Sequence, residues 1–115
     1  MNITNIKKTN EEKTKSGNSI WRLLSEEIGV PNFELRYFEI PVRGQTSYGK
    51  HPWEHEVYII KGRGVVKGKT LNGKSYKKKV QVEDAIYIAC NEEHQFLNNG
   101  DKPFGFICVC PKGYE

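Results

Sequence analysis

Cysteine is scarce and odd in number, three in 115 residues, so no set of internal disulfides can use all of it. Cys108 and Cys110 stand two apart on a segment that reads as a strand, a poor separation for a bond between them. Free thiols are expected. A thiolate zinc site on that pair would lack the second Cys or His cluster that such sites require. No apolar run approaches the roughly 20 residues of a membrane-spanning helix. The opening stretch MNITNIKKTNEEKTKSG has neither the apolar core nor the small-residue cleavage site of a secretory leader. A membrane-spanning helix is therefore excluded, no membrane partner is expected, and the cytoplasm is the expected location. Neither sign of charge dominates, with 18 Lys+Arg against 14 Asp+Glu. The excess is dispersed in Lys7-Lys8, Lys13, Lys15 and Lys77-Lys78-Lys79, without the interleaved aromatics of an RNA-binding motif. No nucleic-acid partner is expected. Long amphipathic helices and internal repeats are also missing, which removes bundles and solenoids.

What is present is a succession of short strands. The chain is long enough for one compact domain and too short for two of ordinary size. Residues 1–17 carry no hydrophobic period and read as a polar arm. Residues 18–115 read as a single domain. After Ile20-Trp21-Arg22-Leu23-Leu24, the segment Ser25-Glu26-Glu27-Ile28-Gly29 fits either a helical turn or the tail of a strand. Strands are predicted at 32–40, 55–60, 64–67, 75–82, 85–89, 93–97 and 103–110, punctuated by Pro41, Gly62, Asn72-Gly73 and similar breakers. Seven or eight such strands at regular spacing indicate an all-β sandwich or barrel.

Histidine is as scarce as cysteine, and two of the three fall in His51-Pro52-Trp53-Glu54-His55. A helical pair is disfavoured because Val57-Tyr58-Ile59-Ile60 continues as a strand. In a straight strand their Cα atoms would stand about 13 Å apart, too far to share one ion. Pro52 lacks the amide donor of a central ladder, so the segment bends there and both rings can converge. His94, far downstream, rejoins them only in a rolled-up sheet. Parity lets just one of His55 and Glu56 face inward, and an inward His55 takes Val57 and Ile59 with it, the better burial pattern.

Gly44 to Gly62 and Asp84 to Asn98 resemble the two motifs of the cupin superfamily, whose fold is the double-stranded β-helix, a jelly-roll barrel. The His51-Pro52-Trp53-Glu54-His55-Glu56 run is similar to that of small single-domain bacterial cupins. The similarity extends from Pro31 to Lys112. It implies one divalent transition metal, Mn, Fe, Ni, Cu or Zn, held by His51, His55 and His94. A fourth histidine of that subgroup falls on Gly49, which offers no ligand. The site then keeps three imidazoles with an open position, recruits another group such as Tyr48 or a thiol, or has lost its metal.

The same resemblance turns the Phe106, Cys108 and Cys110 face of the last strand into the barrel, and Arg36 with Phe38 likewise. Alternation alone allows Leu35 and Tyr37 inward equally well. Tyr48 and Gln95 are further candidates for orienting a bound small organic molecule, and each fits equally a loop-capping role. The expected activity is that of a metal-dependent oxidoreductase of dioxygenase type. Alternatives are a non-catalytic binding module, or an isomerase or lyase using the metal as Lewis acid. A homodimer is expected, since a short barrel has open edges for a second subunit to cover.

Overall fold

The computed structural model describes residues 1–113. Nine strands follow one another: β1 (Glu11–Lys13), β2 (Ser19–Leu24), β3 (Phe33–Ile40), β4 (His55–Lys61), β5 (Arg63–Lys69), β6 (Ser75–Gln81), β7 (Ala85–Ile88), β8 (Glu93–Leu97) and β9 (Phe104–Pro111). They form two antiparallel sheets, β1-β2-β3-β9-β4-β7 and β6-β5-β8, the two layers of a double-stranded β-helix. No helix among the described residues is long and apolar enough to cross a membrane.

Alternation decides which side chains enter the space between the layers. Glu34, Arg36, Phe38 and Ile40 of β3 line up with Cys110, Cys108, Phe106 and Phe104 of β9. Ile59 and Val57 of β4 pair with Phe106 and Cys108 on the other side. From the smaller sheet come Val66 and Phe96, paired across β5 and β8. Ile40, Ile59, Ile88 and Phe104 are almost wholly buried in this core. Phe106 sits at its centre, stacked on Phe96 at 4.8 Å and on Phe38 at 5.7 Å between centroids. Each ring of this kind stabilises the fold by several times the ~0.8 kcal/mol of one buried methylene.

The arm is more structured than its composition announces. Glu11–Lys13 pairs with Ser19–Trp21 as an edge strand. A polar triplet shows no period because both its faces are exposed; it is held by backbone bonds and by surface pairs such as Arg22 Nε to Glu12 at 3.1 Å. The ambiguous stretch after Leu24 resolves into the helical reading: β2 ends at Leu24, and a 3-10 turn at Glu26–Ile28 follows, ending on Gly29 with φ of 79°.

Candidate metal centre

The three histidines arrive on three different pieces of chain. His55 opens β4 and His94 lies in β8, on the opposite layer. His51 belongs to the link between layers, where Gly49 makes an antiparallel bridge to His94 and the amide of Asn91 donates to the His51 carbonyl at 2.7 Å. Pro52-Trp53 then bends the chain back to β4, as the missing amide donor of Pro52 requires.

One potential ligand atom from each ring lies within 4.8 Å of the others. His55 Nε2 is 3.1 Å from His51 Nδ1 and 3.3 Å from its Nε2. Neighbouring nitrogens on an ion with bonds of about 2.1 Å stand roughly 3.0–3.4 Å apart, so this pair is already at coordination spacing. His94 Nδ1 donates to the Glu92 carbonyl at 2.8 Å, which leaves its Nε2 lone pair for a ligand. His51 is held by Trp53, whose ring stacks on it at 4.3 Å and 8°. Burial, reinforced by the positive charge that His51, His94 and Arg36 can carry, pushes His55 down to about 3. His51 is lowered for the same reasons, burial first and His94 next. Both rings are therefore neutral at ordinary pH, and protons do not compete for their lone pairs. Three imidazole nitrogen donors fit a divalent transition ion.

The other residues named from the sequence divide into two groups. Arg36, Phe106, Cys108 and Cys110 are buried on the inner face with the cluster, and Phe38 is half-buried there. Cys108 Sγ lies 3.1 Å from His55 Nδ1, the ring nitrogen turned away from His51. Its thiol is pushed up to about 11, chiefly by burial. Arg36 lies opposite Cys108 in the ladder and packs its guanidinium carbon 5.6 Å over the Phe38 ring.

Tyr48 and Gln95 are not brought to the cluster. Tyr48 is 46% exposed and its hydroxyl is turned towards Glu93. Gln95 follows His94 in β8, so parity sends it to the opposite face, where Nε2 donates to the Thr46 carbonyl at 2.8 Å and ties down the loop. Sequence reasoning did not single out Trp53 as a support for His51, although its place between the two histidines was a signal. It also gave no role to Gly68, which lies opposite His94 on β5. Only a residue without Cβ fits there, because a Cβ would overlap the Glu93 carbonyl oxygen and stand 2.8 Å from its carbon.

Comparison with known proteins agrees with this fold. A family model described as "Cupin domain" matches residues 36–110. The chain is 34% identical over 77 residues to 1-methylthio-D-xylulose 5-phosphate methylsulfurylase of Rhodospirillum rubrum, 66% of this chain and 46% of that protein. It thus spans about half the length of the curated relative it matches. Among solved structures, the polyketide cyclase RemF from Streptomyces resistomycificus superposes with a TM-score of 0.83 at 24% identity, over 96% of this chain and 79% of that one. A cupin 2 domain-containing protein from Halorhodospira halophila gives 0.76 at 27% identity, over 90% and 70%.

Proposed function

The chain belongs to the cupin-domain family, and on that premise we propose that it is a metal-dependent enzyme acting on a small organic molecule that binds to the ion. His51, His55 and His94 hold one divalent transition metal, and the convergence of their three rings is the observation that carries this reading. Such an ion would supply Lewis acidity and positions where reactants are exchanged. The protein contributes neutral donors, an apolar wall formed by Phe106, Val57 and Ile59, and a cationic group, Arg36, on the same inner face. Oxidative chemistry of the dioxygenase kind is the first reading, because three protein ligands leave room for both a chelating substrate and O₂. Kinship with a methylsulfurylase that acts on a thio-sugar phosphate favours a second, non-oxidative use of the same ion.

Untagged protein reconstituted separately with Fe, Mn, Ni, Cu and Zn should retain close to one equivalent of at least one of them. Less than about a tenth of an equivalent with every metal would remove the proposal. Oxygen uptake with β-diketone, flavonol or thiol substrates then separates the first reading from turnover that proceeds anaerobically.

The subgroup's fourth histidine position is Gly49, and a Cβ there would meet nothing within 4 Å. Gly49 exchanges both backbone hydrogen bonds with His94, at 3.2 and 2.8 Å, so its substituent would stand on the same side as the His94 ring. Gly49→His should therefore add a fourth imidazole whose Cβ enters without a clash. We expect metal affinity to rise at least about tenfold, the scale of a change in a metal's surroundings, read by competition against a chromophoric chelator. Unchanged affinity would mean that Gly49 does not face the ion.

A homodimer is part of the same proposal. The outer face of the larger sheet leaves Phe33, Tyr58, Ile60 and Tyr87 between 44% and 67% exposed, an unusual concentration of large apolar groups for a monomer surface. Light scattering at micromolar concentration should give twice the chain mass. Tyr58→Lys combined with Tyr87→Lys should shift it towards one chain, and a monomeric mass for the unaltered protein would contradict the pairing.

A further inference from the structure

A buried cation in the barrel has no carboxylate against it. Arg36 is 4% exposed, and its Nε, fully shielded, has no hydrogen-bond partner among the described residues. A buried guanidinium ordinarily sits against a carboxylate, since the cost of stripping its water is several kcal/mol. None approaches it within 4 Å among the described residues. Glu34, 2% exposed on the same face of β3, accepts from the Glu26 amide at 3.2 Å through Oε2, while its buried Oε1, like Arg36 Nε, has no partner among the described residues. Glu56 is exposed on the outward side of β4, and Glu54 is exposed in the preceding bend. Glu92 is engaged by the Tyr76 hydroxyl at 2.9 Å and the Ala89 amide at 2.9 Å. Glu93 precedes His94 and so faces the other side of β8.

The donor set adds nothing negative. Three imidazoles would leave the charge of a divalent ion unscreened, and Arg36 adds another positive charge, offset on this face only by Glu34, which is buried but not within 4 Å of the guanidinium. The register puts the two cationic points close together: Arg36 pairs with Cys108 across β3 and β9, and Cys108 contacts His55 Nδ1 at 3.1 Å. At about 4.8 Å per strand, the Cα atoms of Arg36 and His55 are roughly 10–12 Å apart. The long arginine side chain closes most of that gap.

We propose that the molecule taken by this site is a small organic oxyanion, carried by a carboxylate or phosphate group that Arg36 binds while another of its oxygens reaches the metal. This rests on the metal-centre reading above and adds the substrate class and the residue that selects it. Arg36 is then a specificity determinant, and its planar fork matches either oxyanion through two parallel hydrogen bonds. The partnerless nitrogen and the absence of any acidic ligand are two sides of one arrangement, completed only when the anion is present.

The test uses the full chain loaded with Co(II), whose visible spectrum reports changes at the ion. Acetate, pyruvate, oxalate and inorganic phosphate are titrated, with methyl pyruvate as a neutral counterpart of pyruvate. At least one anion should bind below about 10 mM, and pyruvate should bind at least tenfold more tightly than its ester. Arg36→Gln should keep the Co(II) stoichiometry, lose that preference, and lose the anion's rise in melting temperature; Arg36→Lys should retain part of both. Arg36→Lys also keeps the test decisive if Arg36→Gln fails to fold. Loaded protein that binds none of the anions, prefers the ester, or binds pyruvate equally well without Arg36 overturns the proposal while leaving the metal centre intact. Protein that takes up neither Co(II) nor any of Fe, Mn, Ni, Cu and Zn overturns the metal centre itself.

Discussion

His55→Ala should lower the metal retained after reconstitution from about one equivalent to less than a tenth, with affinity falling more than about 100-fold, beyond the 10–100-fold loss typical of changes outside the ligand shell. His55 is the ring at which the site converges. Its Nε2 faces both nitrogens of His51, and its Nδ1 faces Cys108. Without it, the remaining donors sit on the link after Gly49 and on β8, with nothing from the larger sheet between them. Two imidazoles are a poor cage for any ion that favours four or more ligands. The backbone should tolerate the change, because β4 is held by both β7 and β9. Unchanged far-ultraviolet circular dichroism therefore accompanies the loss of metal. Stoichiometric metal in the variant would show that the ion is held elsewhere.

Gly68→Ala should destabilise the protein by about 3 kcal/mol or more, the upper range for overpacking a tight site. The added methyl has no flexible side chain to displace: its neighbours are the Glu93 carbonyl and the His94 Cα, both backbone. The only relief is to push β8 away from β5, and β8 carries His94. Denaturant melts and metal titrations should consequently worsen together. Gly49→Ala is the control on the other flank of His94, where open space surrounds the new methyl. It should leave the melt nearly unchanged. Equal behaviour of the two variants would mean that the β5 and β8 ladder is looser than its register indicates.

The strands that were legible from the sequence are those with one buried side. The span 93–97 coincides with β8, and 55–60 falls one residue short of β4, because apolar alternation marks a strand with one buried face. β1 was not legible, since Glu11–Lys13 buries nothing and period-2 reasoning needs a buried side. The orientation of β3 was ambiguous for the opposite reason. Both its faces are occupied by large groups, with Arg36 buried on one and Tyr37 on the other under Trp21 at 5.4 Å. Only pairing with Cys108 and Phe106 of β9 decides between them. The three histidines were placed together by resemblance and by the bend at Pro52, whereas the state of each ring depends on partners that spacing does not reveal. Examples are the Glu92 carbonyl on His94 and the thiol of Cys108 on His55. The role of Gln95 was within reach, because a neighbour of an inward His94 must face outward.

The empty space beside Gly49 has a practical side as well. A free azole from an elution buffer is the same ring that a histidine at that position would have carried, and Gly49 itself puts no side chain in its way. With a metal bound as proposed, protein recovered from an affinity column with imidazole would carry that solute as an extra ligand, mimicking a saturated centre and masking the open position that the proposed chemistry needs. Thorough dialysis, or a purification that never meets the compound, belongs before any assay of this molecule.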